Sequence, residues 1–228
     1  MSRSPLFFFQ NFVVFPLLVI PAPFQKEDLD GGVQAAFPLL PLVVAIVGRN
    51  EENLKQVFAE CKNNGRKYLM IVADLVKEED VKRTLDNTIS CFGQLNILVN
   101  CAGILAFGTI ETTSLEQYDK VFGINVSMSK SALDKLTKCT ALELASKQVR
   151  VNSVNPGVII TEIHKRAGLD DEAYAKFLER SKETHALGRP GECDEVAKTI
   201  VFLASDESSF ITGALIPVDG GKHVMCPR

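Results

Sequence analysis

LNILVNCAG, residues 95–103, is apolar at most positions and closes on glycine. A short continuous apolar run bounded by a turn residue reads as a strand buried on both faces. Asn100 inside such a strand needs partners, and its amide can bridge neighbouring strands. Gly103 lets the backbone approach a ligand closely. A strand buried on both faces belongs to a sheet covered by helices on each side.

Working outward, the same pattern recurs. LLPLVVAIVG (39–48) and KYLMIVADL (67–75) read as further buried strands, VRVNSVNPGVI (149–159) as a strand ending in a Pro-Gly turn, and GALIPVDGG (213–221) as a last strand and turn. Between them lie helical segments. NEENLKQVFAECKNNG (50–65) has Asn50 as a cap, Glu51 and Glu52 in its first turn and Gly65 at its end. KEEDVKRTLDNTISCFG (77–93) places Val81, Leu85, Thr88 and Ile89 inward, with Gly93 after its end. SLEQYDKVFGINV (114–126) has helical spacing behind Ser114. SMSKSALDKLTKCTALELASK (127–147) is a long helix whose apolar stripe is Ala132, Leu133, Leu136, Cys139, Leu142 and Ala145. Residues 161–185 are polar and helical, and CDEVAKTIVFLAS (193–205) is a further helix. Strands alternating with helices predict an α/β, doubly wound parallel sheet.

The bulk composition fits one such domain. The chain has 228 residues, 46% apolar and 23% charged, with a net charge of −3. It shows no basic stripe, so nucleic acid is not an expected partner. Its six cysteines form no CxxC pair and no Cys/His cluster with zinc spacing, so no metal site is expected. His164, His185 and His223 read as surface or loop residues. Residues 1–40 form an atypical Pro- and Phe-rich extension ahead of a body at 41–228. Their apolar run from Leu6 to Ile20 is punctuated by Pro16. Residues 5–20 read either as a partly packed extension or as a membrane or secretory targeting element. The body itself suits a cytoplasmic or mitochondrial protein.

In such a sheet ligands bind beyond the carboxyl ends of the strands, where VGRN, ADL, NCAG and NPGVI all lie. Arg49 stands where a dinucleotide fold sets the adenosine ribose, and an arginine there accommodates a 2′-phosphate; it reads equally as a loop arginine in solvent. Asp74 either accepts from an adenine amino group or caps a helix. Pro156 and Gly157 fix a turn, and Thr161 can bond a phosphate or an amide.

Taken in order, IVGRNEENL, ADL, LNILVNCAG, Asn125, SKSALDKLTKCTALELA, VRVNSVNPGVI, LGRPGECDEVAKTIVFLASDESSFITG and VDGG resemble the short-chain dehydrogenase/reductase family, in particular its 3-oxoacyl carrier-protein reductase-like members. The resemblance runs from about Val44 to Gly221. It implies a Rossmann-like dinucleotide-binding domain, a nicotinamide cofactor and a small carbonyl or alcohol substrate such as a 3-oxoacyl compound. It assigns Arg49 and Asn50 to the ribose end, favouring NADP over NAD, and Asp74 and Leu75 to the adenine. Asn100, Ala102 and Gly103 become the cofactor wall. Pro156, Gly157, Val158, Ile159 and Thr161 lie against the nicotinamide and phosphates. Lys130 binds the nicotinamide ribose, and Asn125 and Lys130 are the catalytic members present. The 127–147 helix resembles the family's subunit interface, which implies an oligomer with itself or with an intact paralogue.

Two parts of the family pattern are missing. No GxGxxG or TGxxxGxG spacing occurs, so the first strand and its glycine-rich turn are replaced, and cofactor binding is expected to be weakened. Asn125 and Lys130 are five residues apart, where the family has several tens. The absent piece, at 125–127, would carry the strand with the catalytic serine and the loop to the tyrosine. No tyrosine precedes a lysine by four: Val72, Phe122 and Leu178 follow Tyr68, Tyr118 and Tyr174 at that spacing. GINVSMSKSALDKL (123–136) therefore reads as a seam in a truncated or alternatively spliced chain. The family's first and fifth strands flank its fourth. The expectation is thus an incomplete sheet in which LNILVNCAG has open edges, with NFVVFPLLVI available for one gap but disfavoured as a central strand by Pro16.

Overall fold

The computed structural model describes residues 6–10, 17–20, 43–62, 68–101 and 130–225. Its strands are β1 (Leu6–Gln10), β2 (Leu17–Ile20), β3 (Val44–Gly48), β4 (Tyr68–Val72), β5 (Ile97–Asn100), β6 (Val151–Pro156) and β7 (Leu215–Val218). The helices are α1 (Glu51–Lys62), α2 (Glu78–Phe92), α3 (Lys130–Ala145), α4 (Ile163–Arg166), α5 (Asp171–Thr184) and α6 (Cys193–Ala204). The expected helix over 114–126 lies outside the described residues.

The described strands form one seven-stranded sheet in the order β4-β3-β2-β5-β1-β6-β7. The expectation of an incomplete sheet is corrected here. Both edges of β5 are paired, and the N-terminal segment supplies both partners rather than one. β1 runs parallel between β5 and β6, pairing Phe9 with Asn100 and Phe7 with Val151. β2 fills the other gap, between β3 and β5, with Leu17 opposite Val47 and Leu18 opposite Val99. The sheet therefore spans the boundary at residue 40. It is also mixed rather than all parallel, because β2 is antiparallel to both neighbours. Pro16 does not prevent this, since it stands before the first residue of β2 and donates to no ladder bond.

The core follows from the period-two alternation of these strands. Val44 and Ile46 pack with Ile97, Val99 and Val154 against Leu54 of α1 and Val196 and Leu203 of α6. Val47, Ile71 and Ala73 form a second buried group with Leu69, Leu75 and Leu98. Val151 turns the other way, to Ala141 of α3. Helices thus cover both faces, as expected of a doubly wound sheet. Each large aliphatic side chain so buried contributes about 1.5–3 kcal/mol.

Local chemistry sets the helix ends. Asn50 Oδ1 accepts the Asn53 N–H at 2.9 Å, and Lys55 pairs with Glu51 and Glu52 at the start of α1. Gly93 ends α2 in the left-handed region at φ 81°, donating its N–H to Ile89 O. Asp170 caps α5 by accepting from Ala173 N–H at 2.8 Å.

Two predicted helix faces are corrected. On α2, Thr88 is buried and Leu85 half-buried as read, but Thr84 is buried with them while Val81 and Ile89 are exposed. On α3, Thr137 and Ala141 are buried, whereas Leu136, Cys139, Leu142 and Ala145 face outward. The inward threonines satisfy their hydroxyls on the preceding turn: Thr84 on Asp80 O, Thr88 on Thr84 O and Thr137 on Leu133 O, at 2.7–2.8 Å.

Candidate active site

The carboxyl ends of β3, β4, β5, β1 and β6 lie along one edge of the sheet, since these strands share a direction. That edge gathers Arg49 and Asn50 after β3, Asp74 and Leu75 after β4, Asn100 at the end of β5, and residues 156–161 after β6. Asn125, Ala102 and Gly103 lie outside the described residues. Lys130 is the first residue of α3.

Arg49 is exposed at the edge. Beside it the Asn50 oxygen is committed to capping α1. Asp74 does not cap α2, which starts at Glu78 behind Lys77. Instead Asp74 Oδ1 accepts the Val76 N–H at 3.3 Å, and its own N–H donates to Asp80 Oδ2 at 2.7 Å. Asp80 also accepts from Arg83 at 2.6 Å, and Arg83 reaches Val72 O at 3.0 Å. The Arg83 guanidinium, then the Asp74 N–H, hold the Asp80 carboxyl below its usual range. The turn carrying Asp74 is therefore fixed by its own helix. Leu75 packs into the smaller core group. Next to Asn100, burial pushes the Cys101 thiol up to about 12, which leaves it protonated and unreactive at neutral pH.

The loop after β6 is held by bonds from several elements. Gly157 N–H donates to Val218 O at 3.1 Å, and Gly191 N–H to Val158 O at 2.8 Å. Val158 N–H donates to His185 Nε2 at 3.0 Å. Nε2 must accept there, so Nδ1 carries the proton and donates to Ser181 O at 2.8 Å. His185 stands in the loop after α5, as read, but is 3% exposed and so is no surface residue. Thr161 is held through its backbone: Tyr174 Oη accepts its N–H at 3.2 Å and donates to its carbonyl at 3.0 Å. Asp219 closes the far side. Burial works to raise its carboxyl, yet the His223 side chain and the N–H groups of His223 and Gly221 hold it below its ordinary value.

His185, Tyr174 and Asp219 were not among the candidates read from the sequence. Only the Asp-Gly-Gly turn carried a local signal, and neither the lone histidine nor the tyrosine did. Among the described residues no cluster of three or more His, Cys, Asp or Glu side chains can hold a metal, and no helix is long and apolar enough to cross a membrane.

A nicotinamide dinucleotide needs three supports at such an edge: a ribose reader, a nicotinamide wall and a pyrophosphate cradle. Arg49 and the 156–161 loop fit the first two. The third does not fit. A cradle requires a strand that ends at this edge and leads into a helix N-terminus, whereas β2, between β3 and β5, begins there and ends at the opposite edge.

Comparison with known proteins gives the lineage. Residues 40–128 match a family profile described as short chain dehydrogenase, and residues 125–223 one described as enoyl-(acyl carrier protein) reductase. The chain is 33% identical over 220 residues to dehydrogenase/reductase SDR family member 4 of Caenorhabditis elegans, covering 78% of this chain and 84% of that one. It is 31% identical to a cyclopentanol dehydrogenase of Comamonas testosteroni, covering 75% and 83%. Among solved structures, a short-chain dehydrogenase/reductase of unknown function from C. elegans, crystallised with cofactor, superimposes with a TM-score of 0.74 at 26% identity, covering 80% and 86%. One from Mycobacterium marinum gives 0.74 at 27%, covering 86% and 92%.

Proposed function

The chain belongs to the short-chain dehydrogenase/reductase family, and from that premise we propose that it is an oxidoreductase by descent whose inherited reaction is impaired. The inherited reaction is NADP-linked reduction of a carbonyl, or oxidation of an alcohol, on small substrates such as 3-oxoacyl compounds. The exposed Arg49 after β3 favours NADP over NAD.

The observation that carries the reading is the identity of the strand between β5 and β6. In the family order the strand in this place brings the catalytic serine and leads on to the tyrosine. Here the strand is LFFFQ, residues 6–10, with no hydroxyl side chain. Carbonyl reduction needs a proton donor beside the hydride, and a phenol of pKa about 10 needs a nearby cation to serve near neutrality. No tyrosine precedes Lys130 at helical spacing, and the Tyr174 hydroxyl is bonded to the Thr161 backbone. Losing general acid catalysis costs roughly 10²- to 10⁴-fold.

The seam at 125–127 supports the same reading. The two family profiles meet at residues 125–128. The 220 aligned positions of the nematode relative exceed the 78% of this chain they cover, about 178 residues, by about 40. A truncated or alternatively spliced origin accounts for that excess. A cytoplasmic or mitochondrial location goes with this reading, on six cysteines without paired spacing.

The test is NADPH oxidation by the purified chain over 3-oxoacyl thioesters, ketosteroids and quinones. Turnover at least 100-fold below that of the nematode relative is expected; comparable turnover would refute the impairment.

A second reading rests on α3. Leu142 is 80% exposed and Leu136 43% exposed on one outward face. In this reading the chain serves as an inactive subunit that pairs through α3 with an intact paralogue or with itself.

A further inference from the structure

The strand that runs backwards in this sheet stands at the point where a dinucleotide would cross it. β2 pairs antiparallel with β3 on one side, Leu17 to Val47 through Val19 to Ala45, and with β5 on the other, Leu18 to Val99 through Ile20 to Ile97. Every other described strand runs the opposite way. At the ligand-binding edge the chain therefore enters the sheet at Leu17 instead of leaving it. No helix can begin at that place by following β2, because β2 ends beside Ile97 at the far edge. Helix N-terminal N–H groups are what hold a pyrophosphate in this class of sheet.

The sequence leading into β2 lacks the residue types of a glycine-rich phosphate turn. NFVVFP, residues 11–16, contains no glycine and no cation, and Pro16 has no N–H. Arg49 and Asp74 stand on one side of this position and the Gly157–Thr161 loop on the other. Among the described residues the two walls of a dinucleotide site are present, and no helix N-terminus follows the strand between them.

We infer that the chain does not take up an intact nicotinamide dinucleotide across its carboxyl edge, because β2 is reversed. This deepens the impaired-reductase reading, on which it rests, and moves the defect from the missing tyrosine to the cofactor itself. Restoring a serine and a tyrosine to this chain would not restore a reductase.

Two measurements on the full chain test it. NADPH is titrated against the chain and against the nematode relative, following nucleotide fluorescence, with a cooperative thermal transition as evidence of folding. Each lost charge-assisted bond to phosphate is worth roughly tenfold or more. No saturation is therefore expected up to about 100 times the relative's Kd. Saturation below that limit overturns the inference. Strand direction is read by oxidative cross-linking and peptide mass analysis. The pair Leu17→Cys with Val47→Cys faces across the ladder and is expected to link. A link between Ile20→Cys and Val47→Cys instead, or no Leu17–Val47 link in the folded chain, overturns it. The outcomes also separate the two proposals. Tight NADPH binding without turnover sinks this inference and leaves the impaired reductase standing, whereas binding with turnover sinks both.

Discussion

Gly157 has no positive φ, so its lack of a side chain serves space and not conformation. A Cβ there would lie 2.7 Å from His185 Nε2 and 2.8 Å from Asp219 Cα. Backbone at Asp219 cannot yield as a flexible side chain would. Gly157→Ala is expected to destabilise the fold by about 1–3 kcal/mol, read as a lower denaturation midpoint, and to speed hydrogen exchange at the Val158 amide that His185 holds. An unchanged midpoint with an unchanged Val158 amide would show that the loop is not packed in this way. The turn at Pro156-Gly157 was legible from its dipeptide. The tightness was not, because His185 comes from 28 residues further along, behind a helix, and a lone histidine has no period to betray burial.

Among the elements, α2 and α3 show where hydropathy misleads. A helical wheel selects the most apolar line, yet the buried line is the one that meets the strand. Thr84, Thr88 and Thr137 can face inward because each hydroxyl is satisfied four residues back, so the cost of burying it is already met. The displaced Leu142 then faces out. If α3 is a subunit face, the wild-type chain is a dimer, alone or co-expressed with an intact paralogue, and Leu142→Glu shifts it to monomer in size exclusion with mass detection. A distribution unmoved by the substitution would end that reading.

The start of α6 is set by charge. Arg189 donates to both oxygens of Glu195, at 2.6 and 2.9 Å, and Glu195 also accepts the Glu192 N–H at 2.8 Å. Those bonds, Arg189 first, hold the Glu195 carboxyl down at about 2. A depressed folded value gives stability that is complete above the unfolded value of about 4.3 and lost as pH falls towards 2. The pair is solvent-exposed, so the contribution is screened to less than about 1 kcal/mol. Glu195→Gln is expected to flatten the acid limb of stability between about pH 4.3 and 2; an acid limb identical to that of the unsubstituted chain would assign the loss to other carboxylates.

At the scale of the whole molecule, the N-terminal segment completes the sheet. Removing residues 1–20 would uncover both edges of β5 and one edge each of β3 and β6, strands whose buried apolar residues include Val44, Ile46, Ile97, Val99, Val151 and Val154. Unpaired apolar edges pair with other chains. The truncated chain is therefore expected to scatter light and leave the soluble fraction at concentrations where the full chain stays in solution. A soluble, cooperatively unfolding truncation would show that β1 and β2 are dispensable.

The sequence by itself determined the alternation of buried strands and helices, the edge on which Arg49, Asp74, Asn100 and Gly157 assemble, the kinship, and the absence of GxGxxG and Tyr-x-x-x-Lys spacings. These are local matters of apolar runs, caps, turn residues and ordered motifs. Only the tertiary structure decided which strands close the gaps, in which direction β2 runs, and that His185 lies beneath the loop. Strand pairing and direction depend on which free edges are left for a distant segment to satisfy, and no local pattern in LFFFQ or LLVI records that.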